Sequence, residues 1–189
     1  VRSVDAAGNA SNGKEYTVRI DTTTPEIALN DVQVTETYFD ADSANGISTG
    51  TRSIASGTWV HSNQTFLLTA ASVSRISGFA ITADGTEYAL EERSSVDVNN
   101  RYRIAAMTEK AVGSGTELHY EYELAVEVYG VETSASGSNY GFLAYSYTGN
   151  PSDESDRFNS RFDTTSPGFD ILVYSLNGDF SAFIPYDID

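Results

Sequence analysis

The sequence predicts an all-β fold, an antiparallel β-sandwich, from three observations. Residues 117–129 alternate apolar and polar side chains, which is the pattern of a strand with one buried face and one wet face. Asp84-Gly85 stands between two short apolar runs, and this dipeptide is a strong signal for a β-hairpin. Turn signals recur at short spacing without helical periodicity between them, which favours a sandwich over helical folds.

The predicted strands follow one another from residue 26 onwards. Residues 26–37 carry Val32 and Val34 two positions apart, as one buried face of a strand requires. Residues 38–58 are rich in Ser, Asn, Gly and Asp, and this composition predicts a long loop. Short apolar runs predict the remaining strands at 64–73, 78–83, 86–91, 101–107, 117–129, 140–147 and 158–162. The central unit should therefore hold roughly seven to nine strands.

A short motif occurs twice and divides the chain. Residues 19–25 read Arg-Ile-Asp-Thr-Thr-Thr-Pro, and residues 161–167 read Arg-Phe-Asp-Thr-Thr-Ser-Pro. Threonines keep the backbone extended, and proline removes the N–H that a further ladder bond would need. Two such seams predict units that end alike and are joined by short, stiff connectors. We predict three segments: the last strands of one unit at 1–25, a central sandwich at 26–165, and the first strands of another unit at 166–189.

The first seam and the residues before it resemble the end of a bacterial Ig-like repeat. The resemblance covers residues 4–27, with an Asp-Ala-Ala-Gly-Asn turn at 5–9, a strand, and then Asp-Thr-Thr-Thr-Pro. It is weaker over residues 145–167, where Ser146 stands in place of Asp5. Such repeats occur in tandem in large bacterial surface proteins and adhesins. The resemblance implies an enlarged Ig-like β-sandwich with partial flanking repeats, at the bacterial cell surface and outside the cell.

The flanking segments allow two interpretations. Each holds too few strands to bury a sheet face alone. They are either the ends of domains in a longer chain that has been truncated, or strands that complete a sheet in a neighbouring molecule. The second interpretation would make the protein a homo-oligomer by strand exchange.

The composition limits the partners. The chain has 189 residues, of which 27 are acidic and 11 basic, so its formal net charge is −16. Nucleic acids and anionic membrane surfaces select basic patches, so this balance argues against both. The chain has no cysteine, which removes disulfides and thiolate metal sites. No run of about 18 apolar residues predicts membrane insertion of this segment.

Acidic residues at turns and seams are candidate calcium ligands. Calcium prefers several carboxylate and carbonyl oxygens that converge at a bend. The resemblance implies calcium at junctions between repeats, held by Asp21 and Asp163 and less directly by Asp5. Further candidates in one loop, whose spacing does not fit an EF-hand, are Asp40, Asp42 and Asn45. The alternative is that each Asp caps its own turn through backbone hydrogen bonds.

Aromatic residues near predicted loops are candidate platforms for sugars. They are Trp59, Tyr38 and Tyr140. Trp59 is the single tryptophan and begins a predicted strand. Packing in the core or at a sheet edge is the alternative role for such residues.

The sequence does not predict an enzyme. The two histidines, His61 and His119, lie far apart and outside any recognisable motif. We instead predict a non-catalytic stalk or display scaffold whose partners are neighbouring repeats and a host or cell-surface glycan or protein. Two alternatives remain: a filament subunit that assembles by strand complementation, and a glycan-binding β-sandwich.

Overall fold

The computed structural model describes residues 2–15, 22–130, 136–163, 168–174 and 180–187. In this part of the chain, the strands form two five-stranded sheets and one two-stranded sheet. The predicted all-β antiparallel sandwich is confirmed. One 3₁₀ turn, Gly115–Glu117, is the sole helical element among the described residues. None of those residues forms a helix long and apolar enough to cross a membrane.

The strands are, in chain order, β1 (Glu26–Phe39), β2 (Ile47–Ser53), β3 (Trp59–Val60), β4 (Gln64–Ser72), β5 (Ile76–Ala83), β6 (Thr86–Leu90), β7 (Tyr102–Val112), β8 (His119–Val128), β9 (Ser136–Ser146), β10 (Phe158–Phe162), β11 (Gly168–Tyr174) and β12 (Phe180–Asp187). The first sheet has the order β2-β1-β4-β8-β7, and the second has the order β3-β10-β9-β5-β6. All neighbours are antiparallel except β3 and β10, which are parallel. The two sheets therefore hold ten strands between the seams, more than the sequence predicted.

Period-two alternation places one face of each sheet in a shared core. In β8 every second residue from Tyr122 to Val128 is buried, as the sequence predicted. At the centre, the Phe66 ring packs edge-on against Tyr140 and Phe158, with ring centroids 5.7 and 5.6 Å away. Each buried ring removes about 150–250 Å² from water, which contributes on the order of 4–6 kcal/mol before the entropy cost of folding.

The predicted hairpin at Asp84-Gly85 is confirmed and joins β5 to β6. Asp84 has a φ of 50° and Gly85 a φ of 85°, the left-handed backbone at both central residues that a type I′ turn requires. The side chain of Asp84 also accepts a hydrogen bond from the backbone N–H of Asn139 at 2.9 Å. This contact ties the turn to β9.

The prediction of a long loop over residues 38–58 is wrong, because β2 lies within it. Serine and glycine dilute the apolar pattern of β2, but its threonines favour strands and pair with those of β1. The hydroxyls of Thr35 and Thr51 are 2.7 Å apart, and so are those of Thr37 and Thr49. Strand β7 likewise continues to Val112 rather than ending at residue 107.

Buried serines complete the open side of β9. Beyond its pairing with β10, β9 faces the irregular segment that precedes β10. Ser155 accepts the backbone N–H of Phe142 through its hydroxyl at 3.1 Å, and Ser152 accepts that of Ala144 at 3.0 Å. The backbone N–H groups of both serines donate back to the same two residues. Side chains thus replace a strand, and the buried N–H groups of β9 are satisfied.

The flanking segments are described only in part. Val4 and Ala10 form an isolated antiparallel bridge, and residues 16–21, where a further strand was predicted, lie outside the described residues. After the second seam, β11 and β12 pair with each other. Truncation and strand exchange both stay predictions.

Candidate functional site

The chain enters the sandwich at one end of the first sheet. Strand β1 begins at Glu26, which pairs with Ala71 near the end of β4. Ala71 in turn pairs with Glu121, near the start of β8. We call this end of the sandwich the N-terminal pole.

The chain leaves the sandwich at the opposite end. The ring of Phe162, the last residue of β10, lies against Gly130, where an added Cβ would come within 2.9 Å of the ring and 2.7 Å of the Ser62 carbonyl oxygen. Only glycine fits such a close approach. Gly130 lies two residues after Val128, which pairs with Gln64 at the start of β4. This end, the C-terminal pole, is separated from the first by the nine-residue strand β4, or roughly 26 Å.

The β1–β2 hairpin projects beyond the C-terminal pole. Strand β1 pairs with β4 only as far as Val34, whereas it pairs with β2 as far as Phe39. Residues 35–51 therefore form a two-stranded ribbon, which we call the arm. Phe39 and Ile47 face each other near its tip and are 80% and 57% exposed.

A buried carboxylate anchors the base of the arm. The Glu36 side chain is 2% exposed and accepts hydrogen bonds from Arg52 Nη2 at 2.5 Å, His61 N at 3.1 Å and Ser62 Oγ at 3.3 Å. The imidazole Nε2 of His61 also lies 3.0 Å from the carbonyl oxygen of Thr37. A buried charge is tolerated only when it is paired and hydrogen-bonded, and Glu36 meets both conditions.

The exit of the chain lies beside this anchor. The backbone N–H of Asp163 donates to the carbonyl oxygen of Val60 at 3.0 Å. The next residue after Val60 is His61, which contacts the arm at Glu36 and Thr37. The connector that begins at Asp163 therefore leaves the sandwich next to the base of the arm.

Two of the predicted calcium ligands cap their own turns. Asp5 accepts the backbone N–H groups of Ala7 and Asn9, at 3.0 and 2.8 Å, and the Asn9 side-chain amide at 2.9 Å. Asp40 accepts the Ser48 hydroxyl at 2.5 Å and the Asp42 N–H at 3.1 Å. These hydrogen bonds lower the pKa of both carboxyl groups, chiefly through the Asn9 side chain for Asp5 and through Ser48 for Asp40.

The other predicted ligands do not converge with these. Asp42 and Asn45 are exposed in the arm's tip loop, and Asp163 is exposed at the C-terminal pole. Asp21 lies outside the described residues. Within the described ranges, no three acidic or histidine side chains gather as one metal ion would need. Calcium at the seams stays a prediction that depends on Asp21 and Asp163.

The prediction of Tyr140 as a platform for sugars is wrong. Its side chain is fully buried in the core, and this burial raises the pKa of its hydroxyl to about 12. It cannot meet a ligand at the surface. Tyr38 is half-buried, with the Arg52 guanidinium 4.9 Å from its ring centroid, in the same arrangement that anchors the arm.

Trp59 is the one predicted platform that lies open, at 46% exposure. It pairs with Arg161 across β3 and β10, and the guanidinium stands 5.5 Å from the ring centroid. Arg161 Nε donates to Asn159 at 3.2 Å, and Asn159 donates to Asn139 at 3.1 Å. A polar row therefore continues from Trp59 across three strands. The sequence signal for it is the alternation in β10, where Phe158, Ser160 and Phe162 point inward.

The outer face of the first sheet carries shallow grooves. One of about 450 Å³ crosses β1, β4 and β8, and another of about 390 Å³ crosses β4, β8 and β7. Both are lined by Thr69 and Glu123 and have alanines in their floors. The outward face of β8 is acidic, as the sequence predicted.

The two histidines occupy different surroundings. His61 belongs to the anchor of the arm. The Nδ1 atom of His119, at the start of β8, lies 3.1 Å from the Glu117 carbonyl oxygen, and its Nε2 atom lies 3.4 Å from a Glu121 carboxylate oxygen.

No protein-family model matches the chain, and no curated protein matches it. The likeness to bacterial Ig-like repeats stays a prediction from residues alone.

Proposed function

We propose that this chain is part of a stalk or display scaffold of a bacterial extracellular surface protein, with the sandwich as one spacer unit in a tandem series. One observation carries the proposal: the chain enters at Glu26 and leaves after Phe162 at opposite poles of the sandwich. Each unit of this kind adds its full length to a stalk. A domain whose two ends met at one pole would add almost none.

The seams support the same function. The first copy of the motif ends at Pro25, directly before β1, and the second follows β10. A new β-hairpin, β11–β12, begins after the second copy. The repeated motif thus brackets one sandwich and leads to another β unit, as tandem spacers require.

The strand directions suit a load along the stalk. Strands β1 and β10 both run towards the C-terminal pole, and β1 is bonded on both sides, to β2 and β4. Tension between the poles would pull β1 along its own axis. Its ladder bonds would then share the load rather than break one after another.

Single-molecule force spectroscopy tests this proposal. The chain has no cysteine, so thiols introduced at Thr22 and Ser166 provide unique handles at the seams. The matched control places the handles at Ser77 and Glu92, one end of the β5–β6 hairpin, where tension peels strand pairs one by one. We expect a higher unfolding force through the seams at the same loading rate. An equal or lower unfolding force would contradict a role in carrying tension along the stalk.

Glycan binding is a second candidate, supported by the row of Trp59, Arg161, Asn159 and Asn139. An exposed indole can stack on a sugar ring, while guanidinium and amide groups can bond its hydroxyls. Because Trp59 is the only tryptophan, its fluorescence reports directly on this surface. Titration with bacterial and host oligosaccharides should shift the emission, and Asn139→Ala should weaken the binding. Unchanged emission across such a panel would rule this candidate out.

A further inference from the structure

We propose that the polar row of Trp59, Arg161, Asn159 and Asn139 selects a carboxylated sugar, a uronic or sialic acid unit, over a neutral one. This inference rests on the second candidate function, because it names the class of glycan that the same surface would take. Two features of the row support it: the direction of its hydrogen bonds, and the lack of a carboxylate beside Arg161 among the described residues.

Arg161 fixes the orientation of both amides in the row. Arginine has only N–H donors, so its Nε atom, 3.2 Å from Asn159, meets the amide oxygen of that residue. Asn159 therefore turns its NH₂ group towards Asn139, whose Oδ1 atom accepts at 3.1 Å. The NH₂ group of Asn139 is left at the far end of the row. Each hydrogen bond thus points away from the guanidinium.

The groups that remain free in the row are mainly donors. The Nη atoms of Arg161 and the Nδ2 atom of Asn139 make no hydrogen bond within the described ranges, and both side chains are exposed. A sugar hydroxyl both donates and accepts, whereas a carboxylate only accepts and can take two parallel hydrogen bonds from one guanidinium. A carboxylate therefore matches this surface better than a hydroxyl does.

The charge around Arg161 supports the same ligand. The chain has 27 acidic residues, and five arginines each lie 2.5–3.2 Å from a glutamate carboxylate: Arg52, Arg75, Arg93, Arg103 and Arg157. In the part of the chain that the structure describes, Arg161 has no such partner and stands 5.5 Å from the Trp59 ring centroid instead. A guanidinium without a carboxylate of its own can bind that of a ligand.

The face around the guanidinium is open to a ligand. Arg161 pairs with Gly137 of β9, which has no side chain, and an added Cβ there would meet nothing closer than 3.4 Å. On the other side, Trp59 is 46% exposed. A sugar that contacts the open part of the indole can place its carboxylate on Arg161.

Ligand pairs that differ only in the carboxylate test this inference. Trigalacturonate and sialyllactose are each compared with their methyl esters by isothermal titration calorimetry on the full chain. EDTA is present, so that no divalent cation bridges an acidic ligand to the acidic protein. We expect one acid to bind roughly tenfold more tightly than its ester, because hydrogen bonds between charged groups are the stronger ones. The acid that binds shows whether the unit is uronic or sialic.

Two variants with the same net charge locate the effect. Arg161→Gln removes the guanidinium of the row, and Arg93→Gln removes an exposed one that pairs with Glu91 elsewhere. We expect Arg161→Gln to reduce the affinity for the acid to that for its ester, whereas Arg93→Gln should preserve the preference. Thermal melting of both variants checks that the sandwich is intact.

The outcomes separate this inference from glycan binding in general. Equal affinities for an acid and its ester would overturn the inference and leave glycan binding in place, as would a preference that survives Arg161→Gln. No binding of any of the four ligands would also overturn it. Glycan binding itself would be ruled out only if neutral oligosaccharides left the emission of Trp59 unchanged as well.

Discussion

Among single residues, Glu36 joins the arm to the sandwich. Its carboxylate gathers donors from β2 and from the connector between β3 and β4, all at a side chain that is 2% exposed. Glu36→Gln keeps the shape but places an amide N–H₂ group among donors. We expect a loss of about 1–3 kcal/mol in the free energy of unfolding, measured with urea. Glu26→Gln, at the exposed start of the same strand, is the control and should change the free energy of unfolding by less than about 0.5 kcal/mol.

The contribution of Glu154 to the stability of the fold should depend on pH. The pKa of its carboxyl group is lowered first by the hydrogen bond from Thr82 and further by Arg157, against an opposing effect of burial. Because the folded pKa lies below the ordinary value of 4.5, the stabilisation is full above that pH. It is lost as the pH falls through the lowered value. The charged carboxylate is thus the form that the Thr82 hydroxyl favours.

Thr82→Val tests this effect. The variant should have a lower melting temperature than the parent at neutral pH. The difference in melting temperature should shrink as the pH falls through the range in which Glu154 becomes protonated. Thermal melts over a pH series measure this difference, with Thr86→Val on exposed β6 as the control. A difference that stays constant from neutral to acid pH would show that packing, rather than the charge of Glu154, is responsible.

Among elements, the β5–β6 turn depends on one glycine. Gly85 has a φ of 85°, where an L side chain is strained by roughly 1–2 kcal/mol even though its Cβ would meet no neighbour. Gly85→Ala should lower the free energy of unfolding by about that amount. Gly78→Ala in β5, where φ is ordinary and space is open, should leave it nearly unchanged. Equal losses at both positions would contradict turn strain as the cause, because of the two only Gly85 has a positive φ.

The elements also show how much of the fold the sequence predicts. Strand β8 and the β5–β6 hairpin follow from alternation and from Asp-Gly, because both signals are local. Strand β2 was missed because its stability comes from cross-strand threonine pairs, which a composition of Ser, Thr and Gly does not reveal. The irregular segment with Ser152 and Ser155 has no local sequence signal, because its hydroxyls bond to β9, which is a separate strand.

The candidate sites were predicted less well than the strands. The sequence of β9 does not show which face of the strand is buried, because aromatic residues stand on both. The burial of Tyr140 is therefore visible only in the folded structure. Trp59 and Arg161 are far apart in sequence, and they meet only because β3 pairs with β10. The opposite poles of the sandwich likewise depend on the order of strands in both sheets. Turn caps such as Asp5 were predicted as an alternative, because an Asx turn is local.

At the scale of the whole molecule, the net charge of −16 should make stability depend on salt. Repulsion among acidic side chains disfavours the compact state, and salt near 0.1 M screens it beyond about 10 Å. We expect NaCl to raise the melting temperature. A calcium site at the seams would add to this, since an ion that binds only the folded state stabilises it by mass action.

CaCl₂ and NaCl at equal ionic strength separate the two effects. We expect a larger rise of the melting temperature in CaCl₂, and Asp163→Asn should remove the excess while it preserves the response to NaCl. Asp153→Asn is the matched control, because it removes an exposed carboxylate away from the seam. Equal rises in the two salts would mean that Asp163 binds no calcium. In that case the stiffness of the proposed stalk would depend on its short connectors without calcium.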